Sequence, residues 1–229
     1  MCELIQMRNV RIYANIRIHS QFQFAFISMQ LLLATTNPAK SRDLKAVFSA
    51  LEGVKLISLS DFSEVPEVEE IGETFEENAT LKAKTYAQHF RMPAVADDGG
   101  LEIEALGGAP GVISRRWPGY AADDEELIAY CLQRMADVPE DKRQAQFRTV
   151  VAFATPDGEV FSHEAMLPGL IMAKPHPARD PGYPYRSVFY LPDLGKYAVE
   201  LTDEEQSRLS HRRHALAALL PKIQNHFLQ

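Results

Sequence analysis

The sequence predicts an α/β fold, and three observations support that prediction. The apolar run at residues 31–33 leads into a capped helix, and a second capped helix that starts at Thr74 leads into a short strand at 94–96. Two apolar segments flank a turn at 156–158, as in a β-hairpin. The chain has 229 residues, of which 46% are hydrophobic and 24% charged, so it is long enough to bury a sizeable core. This composition excludes disordered, collagen-like and coiled-coil proteins.

The first two helices have clear start signals. We predict a buried strand at Gln30–Ala34, because its leucines do not alternate with polar residues. Asn37 is a good N-cap, and Pro38 suits the first position of the helix that follows. Thr74 and Glu77 have the spacing of a capping box, which predicts the start of the second helix.

A pair of carboxylates follows the next predicted strand. We expect Ala94–Ala96 to be a strand that ends at Asp97–Asp98, just before the glycines Gly99–Gly100. Residues 101–105 alternate between apolar and acidic side chains, so we predict a separate, half-buried strand there.

The C-terminal half combines a helix, a hairpin and a long connection. We predict a helix at Asp123–Met135 and hairpin strands at Phe147–Thr155 and Glu159–Met166. The proline-rich segment Lys174–Pro192 has few periodic apolar residues, so we expect a long ordered loop or lid. The last helical region is predicted to break near Ser210.

We interpret residues 1–28 as an N-terminal extension and residues 29–229 as a single bilobal domain. The extension has arginines but no signal-peptide cleavage site. It is either a short amphipathic targeting segment or a stretch upstream of the natural start at Met29, and we favour the second interpretation. No run approaches the roughly 20 apolar residues of a membrane span.

Charge and cysteine content narrow the choice of partner and compartment. The chain has 24 basic and 31 acidic residues and a formal charge of −7, which argues against coating a nucleic-acid polymer. A local pocket for one small polyanion remains compatible with this charge. Cys2 and Cys131 cannot form a disulfide framework, so we expect a reducing, cytoplasmic compartment.

The turn Thr35–Lys40 has the chemistry of a phosphate site. A helix N-terminus exposes free backbone N–H groups, and the hydroxyls, the Asn37 amide and the Lys40 ammonium add donors. The alternative is a capped helix with a surface lysine.

Acidic residues supply a candidate metal site. One carboxylate of the Asp97–Asp98 pair can face a cleft, because adjacent strand residues point to opposite faces. Such a carboxylate can hold Mg²⁺ or activate water, and the alternative is a polar turn. The acidic stretch Glu67–Glu77 is followed by Lys82, which could contact a phosphate while a glutamate binds the metal. The alternative there is a solvated surface.

The last candidate is Ser210–Arg213, in which a serine, an imidazole and guanidinium groups suit recognition of a base or a phosphate. The alternative is an ordinary helix start. These sites together resemble the inosine/xanthosine triphosphate pyrophosphatase family over about residues 30–227. The segments that carry the resemblance are Ala34–Lys40, Thr74–Ala83, Ala96–Leu101, Gly107–Val112 and Ser210–Arg212.

The resemblance implies a fold and an activity. The implied fold is an elongated α/β structure, in which a long mixed sheet and two lobes flank a deep nucleotide cleft, and the implied assembly is a homodimer. The implied reaction cleaves a purine nucleoside triphosphate, such as inosine triphosphate (ITP), dITP or xanthosine triphosphate (XTP), to the monophosphate and pyrophosphate. This activity removes deaminated purines from the nucleotide pool, with Mg²⁺ or another divalent cation as cofactor.

The resemblance also implies residue roles. Asp98 is the general base and a metal ligand, and Lys82 and Lys40 assist catalysis. The remaining metal ligands are acidic: Asp97, Glu69, Glu70 and Glu77. The triphosphate is held by the first turn: Thr35, Thr36, Asn37, Pro38, Ala39 and Lys40. The other substrate-binding residues, of which His211 and Arg212 read the base, are Gly99, Tyr183, Pro184, Tyr185, Arg186, Gln206, His211 and Arg212.

Departures from the family pattern concentrate where the base is expected. Gly99 replaces a serine, and Gln206 replaces a lysine. The stretch Tyr183–Ser187 replaces aromatic-glycine-aromatic-aspartate-proline, so that Arg186 stands where the acid is usual, and the loop at 178–182 has fewer glycines. We therefore hypothesise retained hydrolysis with an altered base preference.

Two alternative functions remain open from sequence. The first is a nucleotide-binding protein with impaired catalysis that acts as a sensor or a partner subunit. The second is a related hydrolase for a different nucleotide or an activated sugar.

Overall fold

The computed structural model describes residues 29–48 and 53–227, and its centre is one open, mixed sheet of seven strands. The strands are β1 (Met29–Leu33), β2 (Val54–Ser58), β3 (Ala94–Ile103), β4 (Gln144–Ala154), β5 (Val160–Ile171), β6 (Phe189–Leu191) and β7 (Lys196–Tyr197). The helices are α1 (Pro38–Phe48), α2 (Phe75–Phe90), α3 (Asp124–Arg134), α4 (Asp203–Leu209) and α5 (His211–Phe227). None of the helices in this part of the chain is long and apolar enough to span a bilayer.

The strand order is β2-β1-β3-β4-β5-β6-β7. β1 pairs in parallel with β2 and β3, and every later pair is antiparallel. β1 pairs with only two residues of β3, through Leu32↔Ala94 and Leu33↔Val95. The rest of β3 therefore extends beyond the carboxyl end of β1, next to the turn that leads into α1. Open α/β sheets commonly bind ligands at such a point.

Alternation along the strands builds a core on each face of the sheet. Ala96 of β3 packs in a cluster with the alanines of α2, whereas Val95 packs with Leu44 of α1 and Leu216 of α5. A third cluster joins the far end of β3 to α3 and β6 and includes Trp117. The two clusters around α1, α2 and α5 form one lobe on the shared sheet, and the cluster around α3 and β6 forms the other.

The main difference from the sequence prediction lies in β3. The predicted strand end at Asp97–Asp98 and the separate strand at 101–105 are wrong, because one strand runs from Ala94 to Ile103. β4 pairs with this strand without interruption from Ala94↔Ala154 to Ile103↔Ala145. The two glycines that suggested a turn instead allow neighbouring segments of the same chain to approach β3 closely. A Cβ atom added to Gly99 would lie 2.5 Å from the carbonyl oxygen of Arg148.

Most other local predictions are confirmed. Thr74 caps α2, and the Thr202 side chain caps α4 in the same way. Asn37 Oδ1 accepts a hydrogen bond from the Lys40 N–H at 3.3 Å, as expected for the N-cap of α1. The break between α4 and α5 falls at Ser210, and the predicted lid segment contains β6 besides irregular chain. The predicted extension, residues 1–28, lies outside the described residues.

Candidate active site

A cleft of about 200 Å³ opens beside β3. Its wall includes Lys40 of α1, Asp98 of β3 and Phe147 of β4. Further along the chain, Tyr183 and His211 complete it, so elements from both lobes contribute. The sequence positions are far apart, and the sheet topology brings them together.

Asp98 and Lys82 form the polar centre of the α2 side of the cleft. Lys82 Nζ lies 2.7 Å from Glu70 Oε1 and 3.5 Å from Asp98 Oδ1. Burial by itself would lower the pKa of Lys82, but the charges of Asp98, Asp97 and Glu70 outweigh it and raise the pKa above its ordinary value. The ammonium is therefore charged and shared between two carboxylates.

Asp98 is an acid in an environment that disfavours its charge. Its side chain is 8% exposed, and burial raises its pKa although Lys82 and Lys40 act in the opposite direction. Oδ2 is buried and has no hydrogen-bond partner among the residues described. A carboxylate oxygen in this state is available to a metal ion, a water molecule or a substrate proton.

Asp97 occupies the other face of the same strand. Its Oδ2 accepts from Lys40 Nζ at 3.1 Å and from Arg212 Nε at 2.9 Å. Burial would raise the pKa of Asp97, but these two cations outweigh it and hold the pKa below the usual range. Asp97 thus fixes the two cations in place, and it links α1 to α5 through β3.

Arg212 connects this ion cluster to the aromatic wall. Its Nη1 lies 3.1 Å from Asp43 Oδ2 and 3.4 Å from the Tyr183 hydroxyl. Burial would lower the pKa of this guanidinium, but Asp97 and the other acceptors raise it. The side chain is 6% exposed, so its contacts with the protein are extensive.

The aromatic wall surrounds a neutral histidine. The His211 ring lies parallel to Phe147, with ring centroids 5.9 Å apart. Burial and the nearby charge of Arg212 lower the pKa of His211 to about 3, and its buried Nδ1 has no partner in the described part of the chain. Tyr185 is anchored differently, since its hydroxyl donates to the Ser114 carbonyl at 2.7 Å.

Most of the predicted site residues meet at the cleft. The predicted residues that line it are Asn37, Lys40, Glu70, Asp98, Gly99, Tyr183, Pro184, Tyr185, Arg186, Gln206, His211 and Arg212. Lys82 and Asp97 lie directly behind this surface, each in contact with a lining residue.

Other predicted residues are not among those that line the cleft: Thr35, Thr36, Pro38, Glu69 and Glu77. The side chain of Ala39 lies outside the described part of the chain. The Glu77 carboxylate accepts from the backbone N–H groups of Glu73 and Thr74, so its oxygens serve the α2 cap. Thr35 Oγ1 accepts from the Asn37 N–H at 3.2 Å. Glu69 is exposed. Their roles toward substrate or metal stay predictions.

Sequence reasoning missed several residues of the site. Asp43 of α1 binds both Arg212 and Arg213, and Thr149 of β4 lies beside Gly99 in the cleft wall. Arg115 and Arg116 also line the cleft. The position of Asp43, three residues after Lys40 on one helix face, was the available signal. Thr149 had none, because its place depends on long-range strand pairing.

The arrangement fits a divalent cation. Within residues 29–48 and 53–227 no three acidic, histidine or cysteine side chains form a preassembled metal cluster. Glu70 and Asp98 nevertheless share Lys82, and Asp98 Oδ2 is an orphaned buried acceptor. Mg²⁺ typically uses one or two carboxylates and completes its shell with water and substrate phosphates. The donor set therefore suits a cation that binds together with a polyphosphate.

Comparison with known proteins identifies the relatives of this chain. A dITP/XTP pyrophosphatase from Mycobacteroides abscessus is 41% identical over 199 residues, which cover 86% of this chain and 96% of that protein. A dITP/XTP pyrophosphatase from Thermus thermophilus is 44% identical over 193 residues, or 84% of this chain and 90% of that protein. The structure of a HAM1 protein from Coxiella burnetii matches with a TM-score of 0.77 and 34% identity, and the match covers 86% of this chain and 99% of that one.

These matches confirm both the predicted family resemblance and the predicted fold. The Ham1 family profile matches residues 31–222, a range that includes most of β1, the cleft residues and most of α5. Because sequence and structure agree over most of its length, this chain belongs to the Ham1 family.

Proposed function

We propose that this protein hydrolyses purine nucleoside triphosphates of the dITP and XTP type to the nucleoside monophosphate and pyrophosphate. The observation that supports this most directly is the pairing of cations and carboxylates in one cleft: Lys40 with Asp97, and Lys82 with Asp98 and Glu70. The names of the relatives from M. abscessus and T. thermophilus point to the same reaction. The activity would remove deaminated purines from the nucleotide pool.

The polyphosphate would lie against the cationic side of the cleft. Lys40 stands in the first turn of α1, where backbone N–H groups and the helix dipole also favour an anion. Lys82 is held at the base of the cleft by Glu70 and Asp98. Phosphoryl transfer depends mostly on positioning and charge neutralisation, and this arrangement provides both.

Asp98 is the proposed general base. Its unpartnered Oδ2 would orient a water molecule and accept its proton while the water oxygen bonds to the α-phosphorus. The bond from that phosphorus to the bridging oxygen breaks, and pyrophosphate leaves. A raised pKa makes Asp98 a stronger base than an exposed aspartate. Glu70 and Asp98 would hold Mg²⁺, which would neutralise charge on the phosphate oxygens.

The purine base of the substrate would bind against the aromatic wall formed by Tyr183, His211 and Phe147. We further propose that base preference differs from the family pattern, because Arg186 and Gln206 replace an acid and a lysine there. The homodimer implied by the family is likewise a proposal. A nucleotide-binding protein without turnover is the less favoured function, since Lys82 is in contact with both Asp98 and Glu70.

Asp98→Asn is the first test. With Mg²⁺ and ITP we expect pyrophosphate release to fall by about 10²–10⁴-fold, the typical contribution of a general base. Asp137→Asn, a substitution of an exposed aspartate outside the cleft, is the matched control and should match the unsubstituted protein. Chelation of the metal with EDTA should abolish release, and Mg²⁺ should restore it.

A substrate panel tests the proposed preference. Purified protein would be assayed with ITP, XTP, dITP, GTP, ATP and dTTP. Pyrophosphate release from none of them would refute the proposed function. A strong preference for ITP and XTP over all the others, as the family pattern implies, would refute only the altered base preference.

A further inference from the structure

Two departures from the family pattern contact each other in the cleft. Arg186 Nη1 lies 3.4 Å from Gln206 Oε1 and forms an ion pair with Asp180. The guanidinium also lies over the Tyr183 ring, with its central carbon 4.0 Å from the ring centroid. Arg186, Gln206 and Tyr183 all line the cleft.

The surrounding contacts hold the guanidinium in one orientation. Gln206 is itself fixed, because its Nε2 donates to the Leu201 carbonyl at 3.0 Å. Its Oε1 is thereby turned toward Arg186. Stacking on Tyr183 restricts rotation of the guanidinium plane, and the Asp180 carboxylate fixes one end of it.

One edge of the guanidinium remains open. Both hydrogen bonds from Arg186 use Nη1, and Nε and Nη2 have no protein acceptor among the residues the structure describes. The side chain is 20% exposed, so this edge can reach a ligand in the cleft. Two parallel N–H donors in one plane suit a ligand with two adjacent acceptors.

We infer that Arg186 is a specificity-determining residue that binds the O6 and N7 atoms of a 6-oxopurine. Guanine, hypoxanthine and xanthine all present these two acceptors side by side, and arginine pairs with them in a bidentate manner. Adenine has an amino donor in place of O6, which would face an arginine donor. This inference rests on the proposed function, because it assumes that a purine nucleotide occupies the cleft.

Arg186→Met keeps an apolar stem of similar length and should affect the nucleotides selectively. Because one bidentate pair is lost, kcat/KM should fall about tenfold to a hundredfold for ITP, XTP and GTP. The kcat/KM for ATP should change by less than about threefold, so the ratio of kcat/KM for ITP to that for ATP falls. The ratio of ITP to GTP should stay constant, since both bases present the same edge.

A nucleotide with one atom changed separates recognition from a structural role. 7-Deaza-GTP lacks N7, so the unsubstituted protein should use it about tenfold less well than GTP. Arg186→Met should use the two nucleotides equally. A merely structural role in anchoring the loop would lower kcat/KM for every nucleotide and leave the 7-deaza effect in place, and that result would overturn the inference.

Arg179→Met is the matched control. Arg179 lies in the same loop and also pairs with a carboxylate, Glu125, but it does not line the cleft. The ratios of kcat/KM between nucleotides should be the same for this variant as for the unsubstituted protein. Arg186→Lys, which keeps the charge but not the planar pair of donors, should resemble Arg186→Met.

Binding of the monophosphates IMP and AMP, measured by titration calorimetry, makes the test independent of turnover. Arg186→Met should weaken IMP binding about tenfold or more and leave AMP binding unchanged. If the unsubstituted protein releases no pyrophosphate, yet Arg186→Met weakens IMP binding and leaves AMP binding unchanged, the proposed function fails and the role of Arg186 stands. An unchanged ratio of IMP to AMP affinity would overturn the role of Arg186 whatever the activity.

Discussion

Asp97 and Asp98 are adjacent in the chain, yet their pKa values shift in opposite directions. The strand directs Asp97 toward Lys40 and Arg212, and these cations stabilise its charged form. Asp98 points to the other face, where burial prevails over its partners and raises its pKa. Two carboxylates with different environments can take different roles, here a fixed anchor and a proposed base. Consecutive side chains of a β-strand point to opposite faces, so two adjacent residues are enough to produce this difference.

His211 offers a pH test of the same local electrostatics. Its pKa is lowered to about 3 in the fold by burial and by Arg212, whereas an unfolded histidine titrates near 6.5. Between these values the unfolded chain binds a proton that the folded chain does not, so stability falls as the pH drops from 6.5 toward 3. His211→Gln should remove about 2 kcal/mol of the stability loss between pH 7.5 and pH 5.

Urea unfolding at the two pH values measures this difference. His163→Gln is the control, because His163 is exposed on β5 and should leave the pH dependence unchanged. If His211→Gln and the unsubstituted protein lose equal stability on acidification, the neutral state of His211 in the fold is refuted. A neutral imidazole would also keep the aromatic wall uncharged across the physiological pH range.

At the scale of elements, β3 is the central support of the site. It carries Asp97 and Asp98 past the end of β1 and continues along β4 for its whole length. Its glycines make this close pairing possible. A Cβ on Gly99 would lie 2.5 Å from both the Arg148 carbonyl oxygen and Thr149 Oγ1, and one on Gly100 would lie 2.1 Å from Ser114 Oγ.

Gly99→Ala should therefore destabilise the protein. The clash with the β4 backbone cannot be relieved by a side-chain rotation, and overpacking of this kind costs about 1–3 kcal/mol. Gly99→Ser, which introduces the serine usual in the family, should be destabilising for the same reason. Urea unfolding of the purified variants measures the change in free energy.

Thr149→Ala tests where the strain arises. It removes one of the two 2.5 Å contacts, so the double variant with Gly99→Ala should lose less stability than the sum of the single variants. If the free energy of unfolding of Gly99→Ala lies within about 0.5 kcal/mol of that of the unsubstituted protein, the β4 backbone shifts easily, contrary to the geometry.

The elements also show what the sequence could and could not predict. Caps at Asn37 and Thr74 act over three residues, so their local signals correctly located two helix starts. The Asp-Asp-Gly-Gly stretch has the local signals of a turn, but pairing with a strand about 50 residues away keeps it extended. That pairing, and with it the place of Thr149, is a long-range property. Lys82 and Asp98 could be connected only through the family resemblance.

For the whole molecule, the cleft is the place where its two lobes meet. Lys40 and Asp98 belong to the side packed around β1, α1 and α2, whereas Tyr185 belongs to the core around α3 and β6. Arg212 joins these sides by contacting both Asp97 and Tyr183. A nucleotide that spans the cleft would contact both lobes at once, so its binding energy should stabilise both.

Binding of IMP should therefore raise the unfolding temperature of the protein as one transition. A ligand at 100 times its Kd adds about 2.7 kcal/mol to the stability of the folded state, which corresponds to roughly 5–10 °C for a chain of this size. Differential scanning calorimetry, with occupancy fixed by a separate titration, measures the shift. CMP at the same concentration is the control and should give a smaller shift because it binds more weakly to a purine site. Two transitions, of which IMP moves only one, would show that the ligand contacts a single lobe and that the cleft does not couple them.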